Sequence, residues 1–187
     1  MRRPNARGSG DQLREQLVQA ASDLLLEPQR IALPSLRAVA RRCDVSPAAV
    51  YLHFESQQAL VVAVVEHHLQ ALSAHLAASM SEAETPAARL RAFVVAYARW
   101  GVDHPGAYQL LFESADALPI PPHDGTEQAP LLSVVAQLLT DARSEPADTT
   151  QALRLWASVH GAVSLRIHKA TLGWADLEAD LEHLLRD

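Results

Sequence analysis

Apolar residues recur at helical spacing between Ser35 and Leu60, where the pattern stops and restarts twice. Ser35 stands directly before the first run and is a predicted N-cap, because its hydroxyl can accept a hydrogen bond from the first helical turn. The run predicts a short helix with one buried face, since its apolar residues fall at i, i+3, i+4 and i+7: Leu36, Val39, Ala40 and Cys43.

A second short helix is predicted after a turn at Asp44, a residue type that tolerates left-handed backbone better than most. Ser46 and Pro47 supply a capping hydroxyl and a proline at the first helical position, where a missing N–H costs nothing. Val50 and Phe54 form an inward i, i+4 pair, and a third helix follows at once. The side chains predicted to face outward are Pro47, Ala48, Ala49, Tyr51 and His53.

Two short helices joined by a tight turn are typical of a helix-turn-helix, whose second helix enters the major groove of DNA. Small outward residues allow the helix backbone to approach base edges closely. An ordinary helical hairpin with a solvated face has the same spacing, so the spacing alone leaves both interpretations open.

The run VSPAAVYLHFESQQAL resembles the N-terminal domain of the tetracycline-repressor (TetR) family, whose members carry the pattern V-S-x-x-x-[LV]-Y-x-H-F-x-[SN]-K-x-x-L. The likeness extends over residues 11–60. Two positions depart from the family pattern. Asp44 stands where glycine is usual, and Gln57 stands where a phosphate-contacting lysine is usual, so we expect weaker phosphate affinity.

The resemblance implies a dimeric transcriptional regulator, most often a repressor, that releases palindromic double-stranded operator DNA when a small molecule binds. It also implies that Arg37 reaches a base or phosphate and that Tyr51 binds a phosphate. The DNA-binding residues predicted on these grounds are Ser35, Arg37, Ser46, Pro47, Ala48, Ala49, Tyr51, His53 and Gln57.

The whole chain is predicted to be all-α, with three parts. Residues 1–10 form a basic arm that either lies along phosphates or is a disordered terminus. Residues 11–58 form a three-helix DNA-binding domain, and residues 59–187 form a helical domain for effector binding and dimerisation. A long helix over residues 56–80 carries three histidines, which we interpret as hydrogen-bonded or half-exposed rather than metal-binding, because their spacing is wrong for ligands.

The C-terminal part is predicted to contain a helix over residues 147–172 and a closing helix over 174–186, which together form the homodimer interface. A 3-4-3-4-3 spacing, typical of a face that packs on another helix, joins Leu153, Trp156, His160, Val163, Ile167 and Ala170. The Trp156, His160 and Gly161 positions resemble a C-terminal domain class of the TetR family that is named for its Trp-His-Gly motif.

A cluster of aromatic residues and one histidine in this domain is the predicted site of a small hydrophobic effector. Its members are Phe93, Tyr97, Trp100, Tyr108, Phe112, Trp156 and His160. Plain core packing explains the same residues, and the sequence leaves that alternative open. A second alternative is a DNA-binding protein of the same fold that a protein partner controls, with no small-molecule effector.

Charge and composition further narrow the class of protein that the sequence predicts. The net charge is −6, but residues 1–60 hold 8 basic against 6 acidic residues and residues 61–187 hold 8 against 16, as expected for a basic DNA-binding part on an acidic one. The single cysteine excludes an intramolecular disulfide and fits a reducing cytoplasm. No run is expected to span a membrane. Without a phosphate loop, a nucleophile elbow or a metal-spaced ligand set, no enzyme activity, cofactor or metal is predicted.

Overall fold

The computed structural model describes residues 9–26, 33–113 and 128–186, which form nine α-helices and no strand. The all-α class predicted from the sequence is therefore confirmed. The helices are α1 (Ser9–Leu25), α2 (Leu36–Arg42), α3 (Pro47–Tyr51), α4 (Gln57–Met80), α5 (Pro86–Asp103), α6 (Pro105–Phe112), α7 (Gln128–Arg143), α8 (Thr149–His168) and α9 (Leu177–Leu184).

The chain divides into two compact units, which we call the head and the body. The head falls within Met1–Leu69 and Gln109–Pro121, and the body within Gln70–Tyr108 and Pro122–Asp187. The division runs through α4 and α6, so neither helix belongs to one unit alone. The domain limits 11–58 and 59–187 stay a prediction. The arm at residues 1–10 lies outside the described residues, except for Ser9 and Gly10, which begin α1.

Helix starts follow the capping residues in the sequence. The Ser35, Ser46 and Thr85 hydroxyls accept hydrogen bonds from Ala38 N, Ala49 N and Ala88 N, at 3.2, 3.2 and 3.1 Å. Each cap has extended backbone, and α3 and α5 each begin with a proline. The starts of α2 and α3 are placed as the sequence predicts.

The head core contains the predicted apolar faces of its helices. Leu36, Val39 and Ala40 are buried on α2, and α1 and α4 contribute a buried set: Leu17, Ala21, Leu25, Leu60, Val61 and Val64. The hydroxyl of Ser22, itself buried, lies 2.8 Å from Nε2 of His68. A polar link therefore joins α1 to α4 inside an apolar layer.

Helix α4 contradicts the expectation that no segment is long and apolar enough to span a membrane. It has 24 residues and a mean hydropathy of 1.2 over its most apolar window, which is long and apolar enough by composition alone. The same property is typical of core helices of soluble proteins, and 39% of this window is buried inside the structure.

In the body, α5, α7 and α8 pack against one another, and α9 packs on α5 and α8. Gly101 marks a close approach within this packing. A Cβ added there would lie 2.6 Å from Tyr108 Cδ2 and 2.6 Å from Val163 Cγ1, which is closer than side chains tolerate. Only a glycine lets α5 come this near to the side chains of α6 and α8.

The helix predicted over residues 147–172 is shorter in the structure. It runs from Thr149 to His168, with Asp148 and Gln151 forming a capping box at its start. After it, the Lys169 carbonyl accepts from Trp174 Nε1 at 2.9 Å and from Leu172 N at 3.0 Å. These bonds stabilise a bend that ends α8 before residue 172, the predicted end.

One mostly buried arginine contacts both the last helix and the segment before it. Arg166 is mostly buried, contacts the Asp180 carboxylate, donates to the Ala175 carbonyl at 3.2 Å and stacks 4.9 Å from the Trp174 ring. The predicted closing helix 174–186 is correspondingly reduced to Leu177–Leu184.

The chain before α7 also departs from expectation. Residues 116–130 are predicted to be a loop, but residues 128–130 already belong to α7, and the rest of that stretch lies outside the described residues.

Candidate nucleic-acid interface and effector site

The outer face of α3 carries most of the predicted DNA contacts. Pro47 and Ala48 are exposed, and Tyr51 is 59% exposed. Ala49 and His53 are half-buried, so they present less surface than expected. On the opposite side Val50 is fully buried and Phe54 nearly so. The helix therefore presents a narrow face of small side chains that ends in a tyrosine.

The turn between α2 and α3 has the backbone that the sequence predicts. Asp44 adopts φ = 53°, in the left-handed region that glycine usually occupies at this position of the family pattern. The Val45 N–H closes the turn onto the Ala40 carbonyl at 3.0 Å. Asp44 is thus accommodated, and its departure from the family pattern leaves the hairpin intact.

Helix α1 supports the hairpin from behind. The Arg14 guanidinium lies 5.1 Å from the centre of the Phe54 ring, and the Cys43 thiol donates to the Gln16 carbonyl at 3.5 Å. Cys43 is half-buried at the C-cap of α2 and is not on a fully buried face as predicted. This partial burial raises the pKa of the Cys43 thiol, and nearby Arg42 lowers that pKa by less.

Gln57 is placed differently from a phosphate contact. Its side-chain amide donates to the Leu33 carbonyl at 2.9 Å and to the Pro34 carbonyl at 3.1 Å. Both amide hydrogens are therefore engaged inside the head. The residue joins the first turn of α4 to the segment that leads into α2, so its geometry favours a role in positioning the hairpin.

Arginines and one leucine extend the exposed surface beyond α3. Arg37 is exposed in the first turn of α2, and Arg42 is paired with Asp23 at 3.5 Å. Leu52 is 85% exposed directly after α3, an unusual position for a large apolar side chain. The sequence prediction missed Leu52, although it falls outside the inward pair that Val50 and Phe54 form.

Four residues of the predicted effector cluster form one hydrogen-bonded chain in the body. Trp156 Nε1 donates to Tyr97 Oη at 3.1 Å, and Tyr97 Oη donates to Tyr108 Oη at 3.3 Å. Tyr108 Oη lies 2.6 Å from His160 Nδ1. If every donor points the same way along the chain, His160 Nδ1 accepts and the ring carries its proton on Nε2.

Ring stacking adds to these bonds. The His160 ring stacks on both Trp156 and Tyr108, with centroids 5.1 and 5.3 Å apart. Trp100 stacks instead on His104 at 5.1 Å, and Phe112 belongs to the head unit. The structure therefore brings together four of the seven predicted residues in one bonded network, with Phe93 beside it.

The space next to this network is small. A cavity of about 10 Å³ is lined by apolar side chains together with Tyr97 and Trp156, the full set being Phe93, Val94, Tyr97, Val135, Leu155, Trp156 and Val159. That volume admits about one water molecule. Among the described residues, Tyr97 and Tyr108 are buried and Trp156 and His160 half-buried, so an effector at this cluster would have to displace some of their contacts.

The three histidines of α4 lie apart from any ligand set. Within residues 9–26, 33–113 and 128–186, no three histidine, cysteine or acidic side chains are placed to hold a metal. His68 instead bonds the Ser22 hydroxyl, and its ring contacts that of His67 at 5.3 Å.

An all-helical chain that presents a capped helix-turn-helix, with small residues and a tyrosine on its outer face, defines a DNA-binding regulator. Two family models agree. Residues 34–64 match the bacterial regulatory proteins of the tetR family, and residues 90–187 match the tetracyclin repressor-like C-terminal domain. The second match alone covers more than half of the chain. The protein belongs to the TetR family of transcriptional regulators. The Trp-His-Gly class of its C-terminal domain stays a prediction.

Solved structures share the fold. A protein of unknown function from Rhodococcus sp. RHA1 is 26% identical, with a TM-score of 0.77 over 93% of this chain and 94% of that one. A TetR-like transcriptional regulator from the same strain has 19% identity and a TM-score of 0.71, over 98% and 94%. A TetR family transcription regulator from Marinobacter aquaeolei VT8 has 16% identity and a TM-score of 0.72, over 97% of each chain. No curated protein matches the sequence.

Proposed function

We propose that the protein is a homodimeric cytoplasmic repressor that binds a palindromic double-stranded operator and leaves it when a small hydrophobic effector binds the body. The observation that carries the DNA-binding part is the outer face of α3, where Pro47, Ala48 and Tyr51 are exposed above a buried Val50. An enzyme has no comparable support, because the sequence holds no phosphate loop, no nucleophile elbow and no metal-spaced ligand set.

Docking follows from the chemistry of this face. The small side chains of α3 let its backbone approach base edges, while the Tyr51 hydroxyl donates to a phosphate. Arg37, at the start of α2, reaches a base edge or the backbone beside it. His53 and the Ser35 and Ser46 ends complete the contact surface, and Gln57 acts from behind it.

Selection of bound DNA from a random pool tests this proposal. We expect a palindrome, because two copies of one chain read two equal half-sites. Arg37→Ala should weaken the selected site by about 1–3 kcal/mol and relax specificity at one position. Arg89→Ala, an exposed arginine of the body, is the matched control and should bind as the parent does. Recovery of no preferred sequence would contradict the proposal.

The dimer face we propose is the outer side of α8. Exposed or half-exposed residues at four-residue spacing form it, namely Leu153, Ala157, Gly161 and Leu165. Apart from its own helix backbone, no described residue lies within 4 Å of a Cβ added at Gly161, so a second helix can approach closely there. Leu172, which follows the helix, is a further exposed apolar residue, at 55%.

This dimer face requires different substitutions to test dimerisation than the predicted face with 3-4-3-4-3 spacing does. Val163 is fully buried within one chain, so Val163→Glu would unfold the body whether or not a dimer forms. Leu165→Glu and Leu153→Glu place the charge on the outer face instead. We expect both to sediment as folded monomers that bind the operator poorly. Val134→Glu, an exposed position on α7, is the control and should remain dimeric.

The effector site is proposed at the cluster of Tyr97, Tyr108, Trp156 and His160. Apolar walls suit a hydrophobic or aromatic compound, and His160 is a polar group that can orient it. Entry would break the bonded chain and shift α8 against α5. Because α4 is one continuous helix, such a shift can reach its first turn and thereby the spacing of the two hairpins. The compound must bind the DNA-free state more tightly for release to occur.

Thermal-shift screening of hydrophobic compounds, followed by operator release, tests the effector. A compound bound at this cluster should lose affinity with His160→Ala and Trp156→Ala. Equal binding to both variants would place its site elsewhere. If no compound releases the operator, control by a protein partner becomes the better interpretation.

A further inference from the structure

A groove of about 730 Å³ lies in the body and shares Leu155 with the small cavity beside the aromatic cluster. Its walls are the start of α5, the end of α7, the first half of α8 and the end of α9. The volume falls within the range of ligand-binding pockets. None of the predicted effector residues lines this groove.

Positive charge is concentrated in this groove. Arg91, Arg143, Arg154 and Arg186 line it, which is half of the eight basic residues in the otherwise acidic stretch 61–187. Among the acidic residues that the structure describes in that stretch, Glu182 is the one that lines the groove. Half of the basic residues in an acidic stretch therefore line one concave surface.

Three of these arginines have no ion-pair partner among the residues that the structure describes. Arg91 is paired with Glu182 and lies 3.6 Å from Glu178. Arg143, Arg154 and Arg186 have no carboxylate within 4.0 Å in the described parts of the chain, and each is exposed. Guanidinium groups hold carboxylates and phosphates through two parallel hydrogen bonds, so this set is suited to an anion.

The floor of the groove is apolar. Leu139 is buried and Leu155 half-buried at its surface, with alanines of α5 and α7 beside them. Apolar surface next to guanidinium groups favours a ligand that carries both an apolar part and a negative charge. We propose that the groove binds a small amphipathic anion, with a carboxylate or phosphate head on Arg143, Arg154 and Arg186 and an apolar body over Leu139 and Leu155.

This inference goes beyond the proposed function, since it requires neither operator binding nor the aromatic cluster. Binding is therefore measured on the full chain without DNA. Isothermal titration calorimetry with decanoate and with decyl phosphate separates the two kinds of head. Decanol supplies the apolar body alone, and acetate supplies the head alone.

We expect decanoate or decyl phosphate to bind, and decanol and acetate to bind at least about tenfold more weakly. Arg154→Gln should weaken binding of the preferred anion about tenfold, and Arg143→Gln with Arg154→Gln should weaken it further, because each removes a charge-assisted hydrogen-bond donor. Arg89→Gln, an exposed arginine of α5 outside the groove, should bind as the parent does.

Several results would overturn the proposal. Equal binding of decanol and decanoate would show that the arginines do not select the head. Loss of binding with Trp156→Ala but not with the arginine variants would place the anion in the aromatic cluster. Conversion of the protein to monomers by the double arginine variant, with unfolding unchanged, would show that a second copy of the chain occupies the groove. Absence of binding by both anions would refute it directly.

Discussion

Two tyrosines, Tyr51 in the head and Tyr108 in the body, show how the same side chain serves opposite purposes. Tyr51 is 59% exposed at the end of α3, whereas Tyr108 is fully buried. Tyr108 lies between Tyr97 and His160 in a hydrogen-bonded chain. The Tyr51 side chain is thus open to solvent, whereas the Tyr108 hydroxyl helps to hold the helices of the body together.

The difference shows that the exposure and bonding of a polar side chain indicate whether it binds a ligand. An exposed tyrosine among small residues has no structural task and therefore points to a ligand. A buried tyrosine already bonded to a neighbour has one, because buried hydroxyls must be satisfied. The DNA-binding surface consequently has a firmer physical basis than the effector site at the aromatic cluster.

The largest effect is expected in the body, at Gly101. Gly101→Val adds three carbon atoms where even a Cβ lies 2.6 Å from Tyr108 and Val163, so we expect a loss of about 3 kcal/mol in the free energy of unfolding. Chemical denaturation measures this. Gly10→Val, at a helical glycine with open space around it, is the control and should change stability far less. Equal losses at both glycines would show that the close packing around Gly101 is absent.

The two tyrosines provide a matched pair of substitutions. Tyr108→Phe removes one link of the buried chain and should lower the free energy of unfolding by about 1–3 kcal/mol. Tyr51→Phe should leave stability unchanged and weaken binding to all DNA sequences alike. Denaturation and operator titration of both variants give the comparison. A Tyr108→Phe protein as stable as the parent would indicate that the cluster is loosely packed and open to an effector.

The sequence was sufficient for the head because its signals are local. Ser35 and Ser46 cap the helices that directly follow them, and the left-handed turn at Asp44 lies between its own two helices. The all-α class and the buried faces follow from spacing in the same way.

The remaining features depend on side-chain contacts that helical spacing does not predict. Helix α8 ends at His168, at a bend that the Trp174 indole and the Arg166 contacts stabilise. Whether the aromatic cluster is a pocket or a core depends on how α5, α6 and α8 meet. The amide bonds of Gln57 to Leu33 and Pro34 could not be inferred from a family pattern that places lysine there.

Gln57, in the head, tests with a smaller expected effect whether a polar side chain stabilises its own chain or contacts DNA. Gln57→Met keeps the shape but removes the two hydrogen bonds, so we expect the DNA-free protein to lose about 1–2 kcal/mol of unfolding free energy. Gln58→Met, at the adjacent exposed position, should lose little. If Gln57→Met weakens operator binding but leaves the stability of the DNA-free protein unchanged, Gln57 is a phosphate contact and the positioning role is wrong.

Leu52 carries the smallest expected effect and tests whether exposure alone reveals a DNA contact. Its side chain is 85% exposed at the end of α3, where it can meet the methyl group of a thymine in the major groove. Leu52→Ala should weaken the operator by about 1 kcal/mol through lost apolar contact, with unchanged stability. Leu52→Met retains that surface and should bind nearly as the parent does.

Replacing operator thymines one at a time by uracil, which lacks the methyl group, identifies the base. At that base, uracil should weaken the parent and leave Leu52→Ala unaffected, because the variant has already lost the contact. If uracil weakens both proteins equally at every position, Leu52 does not touch a thymine, and its exposure has another cause.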